Sequence, residues 1–73
     1  MLKFKQCKIT EEGEVKLLGT LAIRKEKISG VWSCIDRFEC VVKNAAILAV
    51  EGFGPMAVEG NVDDIIEQLE LPV

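Results

Sequence analysis

The sequence predicts an α+β fold: a mostly antiparallel, curved or barrel-like sheet of about five to six short strands with one C-terminal helix packed on it. Three observations predict it. Before residue 60 the chain is a series of short runs rich in Val, Ile, Leu, Phe and Cys, separated by clusters of Gly, Asp, Glu and Thr. From Asn61 onward the apolar spacing changes to three and four residues. No segment repeats at a fixed period and no low-complexity linker interrupts the chain, so residues 1–73 read as a single small domain.

The first two runs, LKFKQCKI (2–9) and VKLLGTLAI (15–23), are joined by Thr10-Glu11-Glu12-Gly13, a turn-like cluster ending in glycine, and are expected to form a hairpin. KISGVWSC (27–34) and FECVVK (38–43) flank Ile35-Asp36-Arg37 in the same way. Gly19 and Gly30 lie inside strands, where glycine marks a bulge or a bend. Trp32 and Phe38 are expected in the core.

The stretch Gly52-Phe53-Gly54-Pro55 reads as the corner of a second hairpin. A three-residue loop over 52–54 places Glu51 opposite Pro55, Val50 opposite Met56 and Leu48 opposite Val58, with Gly54 at the left-handed position such loops require. Leu48, Val50, Met56 and Val58 then share one face. A phosphate cradle fits worse. A dinucleotide loop needs a third glycine and opens a helix, whereas here proline removes a backbone donor and a strand follows. Phe53, at the loop tip, either folds back or is an exposed contact residue.

The last element is a helix. Asn61 is a favoured N-cap, and Asp63 and Asp64 meet the positive end of the helix dipole. Val62, Ile65, Ile66 and Leu69 form one apolar stripe, and Pro72 prevents continuation. A helix of about nine residues does not persist alone, so the stripe must lie on the sheet.

Composition narrows the chemistry. With no His and no Tyr, the commonest general base and the Ser-His and Cys-His arrangements are absent, so no catalytic residues, no metal site and no cofactor are expected. Asp63 and Asp64 are adjacent on a helix and point about 100° apart, so they do not converge on one substrate. Cys34 and Cys40 would face each other if Arg37 were the tip of their turn. They read as small apolar residues, with a reversible disulfide pair as the alternative. Zinc would need a fourth ligand and tighter spacing.

The longest apolar run, Ala45 to Val50, has six residues, far short of a membrane span. The opening MLKFKQCK alternates lysines with apolar residues, unlike a signal peptide, so the expectation is a cytoplasmic protein whose three cysteines are thiols. A net charge of −3 argues against nucleic acid as the main partner. The charge is unevenly spread. Residues 1–27 hold seven Lys or Arg against four Glu, net +3, and residues 28–73 hold two against eight acids, net −6. Hydrophobic residues make up 49% of the chain and mean hydropathy is +0.25, high for so small a body. Self-association is the expected added stabiliser.

From residue 28 onward, Ile28 and Val31, a strand hairpin and then MAVEGNVDDIIEQL resemble the ending of the small FlbD-like proteins encoded among flagellar genes. Those short chains also run their last strand directly into a capped helix, and the resemblance spans residues 28–70. It implies the same strand-to-helix ending and carries over no functional residue. Together these readings lead to a non-catalytic binding or assembly module of a bacterium or bacterial virus. It is expected to be homo-oligomeric, with an unidentified protein partner and with Phe53, Lys3, Lys5 and Lys8 as contact candidates. The alternative is a nucleic-acid-binding regulator that uses the basic N-terminal hairpin (Lys3, Lys5, Lys8, Lys16).

Overall fold

The computed structural model describes residues 1–69. Five strands, β1 (Leu2–Ile9), β2 (Val15–Ile23), β3 (Ile28–Ile35), β4 (Val41–Val50) and β5 (Gly54–Glu59), precede one helix, α1 (Val62–Leu69). They form a single antiparallel sheet in the order β2-β1-β5-β4-β3. This is the expected α+β architecture, but the sheet stays open: β2 and β3 are free edges, and no barrel closes. The expected stop at Pro72 lies outside the described residues.

Antiparallel alternation sorts the connections into two ends. The turns at 10–14 and 36–40 and the start of α1 share one end, here the lower. The β2–β3 connection, which contains a short 3₁₀ turn (Lys25–Lys27), and the 51–53 turn share the upper end.

The two lower turns are built alike. In each, the first residue (Thr10 or Asp36) donates its N–H to the carbonyl of the fifth (Glu14 or Cys40), both at 2.9 Å. Its side-chain oxygen accepts the N–H of that fifth residue, at 3.1 Å for Thr10 Oγ1 and 3.0 Å for Asp36 Oδ1. The fourth residue donates back to the first carbonyl and is left-handed in both turns: Gly13 at φ +83° and Glu39 at φ +62°. The first turn has glycine where this geometry wants it; the second holds a glutamate there.

Of the expected 38–43 strand, residues 38–40 belong to the preceding turn, and 41–43 run on through 45–50 as one strand, β4, rather than two. Asn44 makes this possible by taking a left-handed conformation (φ +60°) that absorbs the break in pairing between Ser33↔Ala46 and Ile35↔Val41. The β4–β5 register also differs from expectation. Val50 pairs with Gly54, Ala49 with Pro55, Leu48 with Met56 and Ala46 with Val58, so the loop is 51–53. The offset is two residues, an even number, and Leu48, Val50, Met56 and Val58 therefore still share a face. Gly54 has the expected positive φ (+80°), and so does Gly52 (+88°), third residue of the turn closed by the Phe53 N–H on the Val50 carbonyl at 3.0 Å. The two in-strand glycines do flank bulges: the β1–β2 register slips at Leu18, and the β3–β4 register slips at Ser29.

One face of the sheet carries Phe4, Ile23, Ala46, Leu48, Val50 and Val58, all buried, with Ile65 and Leu69 of α1 packed on them. The stripe is centred on Ile65 and Leu69, while Ile66 is half-buried at its margin. Asn61 sits at the N-cap position, its carbonyl accepting the Ile65 N–H at 3.0 Å. Its side-chain oxygen accepts the Asn44 N–H (3.2 Å), and Gly60 donates to the Asn44 carbonyl (2.8 Å), so the β4 irregularity and the helix start are tied together. On the opposite face Cys7, Cys34, Val42 and Ala45 form a second, smaller buried cluster beside Ile9, Val15, Ile47 and Ala57. Curling of the sheet builds it: a Cβ added to Gly13 would lie 3.7 Å from Oδ2 of Asp36, across the lower end.

Candidate interaction surface

Large apolar side chains remain exposed on this small body. Leu17 and Leu18 lie on the β2 edge and Trp32 on the β3 edge, while Ile35, Phe38 and Val41 surround the lower β3–β4 turn and Phe53 caps the upper turn. The expectation that Trp32 and Phe38 are core residues is corrected. Trp32 is 47% exposed because it lies on an edge strand on the face away from α1, with its ring along Gly30, 3.4 Å from where a Cβ would be. Phe38 is 67% exposed because it falls within the turn, where the Asp36 carboxylate holds its N–H at 2.8 Å. The Arg37 guanidinium stands 4.8 Å from the centre of its ring.

Phe53 is exposed, at 79%, and does not fold back. It borders an open apolar groove of about 250 Å³ at the upper end, floored by Leu21, Ile23, Val50 and Met56 and rimmed by Arg24 and Lys27. Lys27 lies 3.9 Å from the Glu51 carboxylate, and its carbonyl accepts the Glu51 N–H at 2.8 Å, joining the two upper connections. The ion pair is well exposed and adds little to stability. At the lower end Ile35 and Val41 are direct cross-strand partners, and both are more than half exposed. A second groove beside Val41 is lined by Lys43 and by Asp63 and Asp64 of the helix start.

The fold redistributes charge by end rather than by half of the chain. Glu11, Glu12, Glu14, Asp36, Glu39, Glu59, Asp63 and Asp64 gather at the lower end, against Lys8, Lys16, Arg37 and Lys43. The upper end holds Lys3, Arg24, Lys25 and Lys27 against Glu26 and Glu51. Of the lysines singled out from the sequence, Lys3 and Lys5 share the face away from α1, whereas strand alternation turns Lys8 to the other face among the acidic turns.

All three cysteines are free thiols. Asp36 lies opposite Cys40, so Cys40 is not the direct cross-strand partner of Cys34. Cys40 is exposed, its Sγ 3.8 Å from the Phe38 carbonyl, whereas Cys34 is buried in the cluster that also holds Cys7. Burial pushes the Cys7 thiol up, helped by Cys34 and then Glu59, and burial alone raises Cys34. Both are therefore protonated and poorly nucleophilic at neutral pH.

Among the described residues no three Cys, Asp or Glu side chains converge in a way that could hold a metal ion. No helix among them is long and apolar enough to cross a membrane. What sequence reasoning missed is the lower apolar group, Ile35, Phe38 and Val41. Its signal lies in the sequence as three large apolar residues bracketing the Asp36–Cys40 turn, where little of the sheet is left to cover them. The chain matches no protein-family model, no curated protein and no solved structure.

Proposed function

We propose that this chain is a small non-catalytic binding or assembly module that works as a homo-oligomer in the cytoplasm of a bacterium or in cells infected by a bacterial virus. The observation that carries the reading is the exposed apolar set, above all Phe53, Phe38, Val41 and Ile35, each more than half exposed. Ile35, Phe38 and Val41 group around the lower turn while Phe53 stands alone at the upper one, and grouped exposed apolar side chains of this kind support an interaction role. The supply of catalytic groups is poor: His and Tyr are absent, and two of the three thiols are buried and raised in pKa. In this reading the resemblance of residues 28–70 to the FlbD-like proteins is one of architecture, a last strand running into a helix. Sedimentation at rising protein concentration tests the reading. A species larger than the 8.1 kDa chain is expected, and a strict monomer throughout would remove the assembly role.

The nucleic-acid alternative draws on Lys3 and Lys5, which share a face with Lys8 turned away. Retention on heparin that salt abolishes would favour it, because phosphate binding releases counterions.

A further inference from the structure

The geometry points to a head-to-tail contact between copies of this chain, in which the lower end of one, carrying Phe38, Ile35 and Val41, docks in the upper groove of the next. The inference rests on the homo-oligomeric reading above and specifies its surfaces. Size is the first argument. A groove of about 250 Å³ falls below the roughly 300–1,000 Å³ of small-molecule sites and suits one or two inserted side chains. Phe38 protrudes from a turn, with Arg37 against its ring and 67% of its surface exposed.

Charge is the second argument and selects the occupant. The groove is rimmed by Arg24 and by Lys27, which also pairs with Glu51, and the upper end carries four bases against two acids. The lower end, although Arg37 lies on Phe38 and Lys43 beside Asp63 and Asp64, carries eight acids against four bases. Like ends repel and unlike ends attract, which disfavours a symmetric pairing of two grooves or two lower ends. The two complementary surfaces lie at opposite ends of the same sheet, so they cannot meet within one molecule. Such a heterologous contact leaves one of each surface free on every pair and propagates into a ring or a filament.

Two capped variants test it. Phe38→Lys replaces the inserted ring with a second cation beside Arg37, facing Arg24 and Lys27, and Phe53→Ser removes the aromatic wall of the groove. Both residues are highly exposed, so folding is retained, and circular dichroism checks this. Each variant alone is expected to raise the dissociation constant by about tenfold or more. Mixed in equal amounts, they should form a 1:1 heterodimer that grows no further, because only one intact groove and one intact lower end remain in each pair. Wild-type assembly should also weaken at high salt. If the wild type assembles but either variant alone assembles equally well, the head-to-tail contact is overturned while the homo-oligomeric reading stands. Loss of assembly on Leu17→Lys, with both capped variants unaffected, would likewise replace it with pairing along the β2 edge. A wild type that stays monomeric at high concentration and low salt overturns both.

Discussion

Glu39→Gly is a substitution that should stabilise this protein, and the molecule contains its own reference for the effect. Glu39 holds φ +62° in the 36–40 turn, and the equivalent place in the 10–14 turn is occupied by Gly13 at φ +83°. An L-residue in the left-handed region costs about 1–2 kcal/mol, which glycine avoids. Against this stands the extra freedom glycine gives the unfolded chain, about 0.4–1 kcal/mol. The Glu39 side chain makes no compensating contact in the turn, whose bonds run through Asp36, Phe38 and Cys40. The difference is a gain of about 0.5–1 kcal/mol, and at roughly 4–8 °C per kcal/mol for a domain of this size Tm should rise by about 2–8 °C. Gly13→Ala, the reciprocal change, should lower it. Thermal unfolding followed by circular dichroism measures both. A Glu39→Gly protein that melts at or below the wild type would refute the reasoning that conformational strain at that turn position is uncompensated.

Three other expectations follow from the packing and the thiols. Ile65→Ala removes a side chain only 3% exposed in the main core and should cost about 2–5 kcal/mol, enough to unfold much of a domain this small, whereas Ile66→Ala at the stripe margin should cost well under half as much; equal costs in chemical denaturation would contradict the helix orientation. Gly52→Ala and Gly54→Val both meet positive φ with open space around the added Cβ, so each should destabilise through strain alone by about 1 kcal/mol or more, the β-branched change being the worse in a melting series. Alkylation of native protein followed by mass spectrometry should modify Cys40 first, and Cys7 and Cys34 only on unfolding. Because folding raises the pKa of Cys7 and Cys34 above the ordinary thiol value of 9.0, their stabilising effect is complete below pH 9 and is lost as pH rises through the folded values. Replacing both with Ala should flatten that alkaline decline.

The α+β class, the positions of β1 and β2 and the amphipathic helix were legible because each rests on local periodicity, which the chain carries over eight or nine residues at a time. The apolar face of the β4–β5 hairpin was legible for the same reason, and it survived a register offset of two because strand alternation has period two. The continuity of β4 was not legible. It depends on Asn44 adopting a left-handed conformation held by Asn61 and Gly60, a contact across the fold. The exposure of Trp32 depended on which strands became edges, which follows from sheet order rather than from residue type, and that of Phe38 on the extent of the Asp36 turn, which takes in the start of the expected 38–43 strand. The division of charge between two ends was hidden for a related reason. Antiparallel folding interleaves the segments, so that Lys8 and Lys16 from the basic half lie with Asp63 and Asp64 from the acidic half.

The seam between β1 and β5 has a kinetic consequence. Their ladder consists of Gln6↔Val58 alone, and Pro55, without an amide proton to give, stands further up β5. The β1–β2 hairpin closes over a short turn, and β3, β4 and β5 follow one another through equally short turns, so both units assemble from contacts near in sequence. Gln6 and Val58 lie roughly fifty residues apart in sequence, and with both units formed the β2–β3 connection must still be ordered before any packing across the seam is gained. Docking of the two units is therefore expected to be the slow event of folding, which stopped-flow refolding of variants on either side of the seam would test. Changes at Phe4 or Val58, which meet in the main core across that seam, should act on a later step than changes within either hairpin turn.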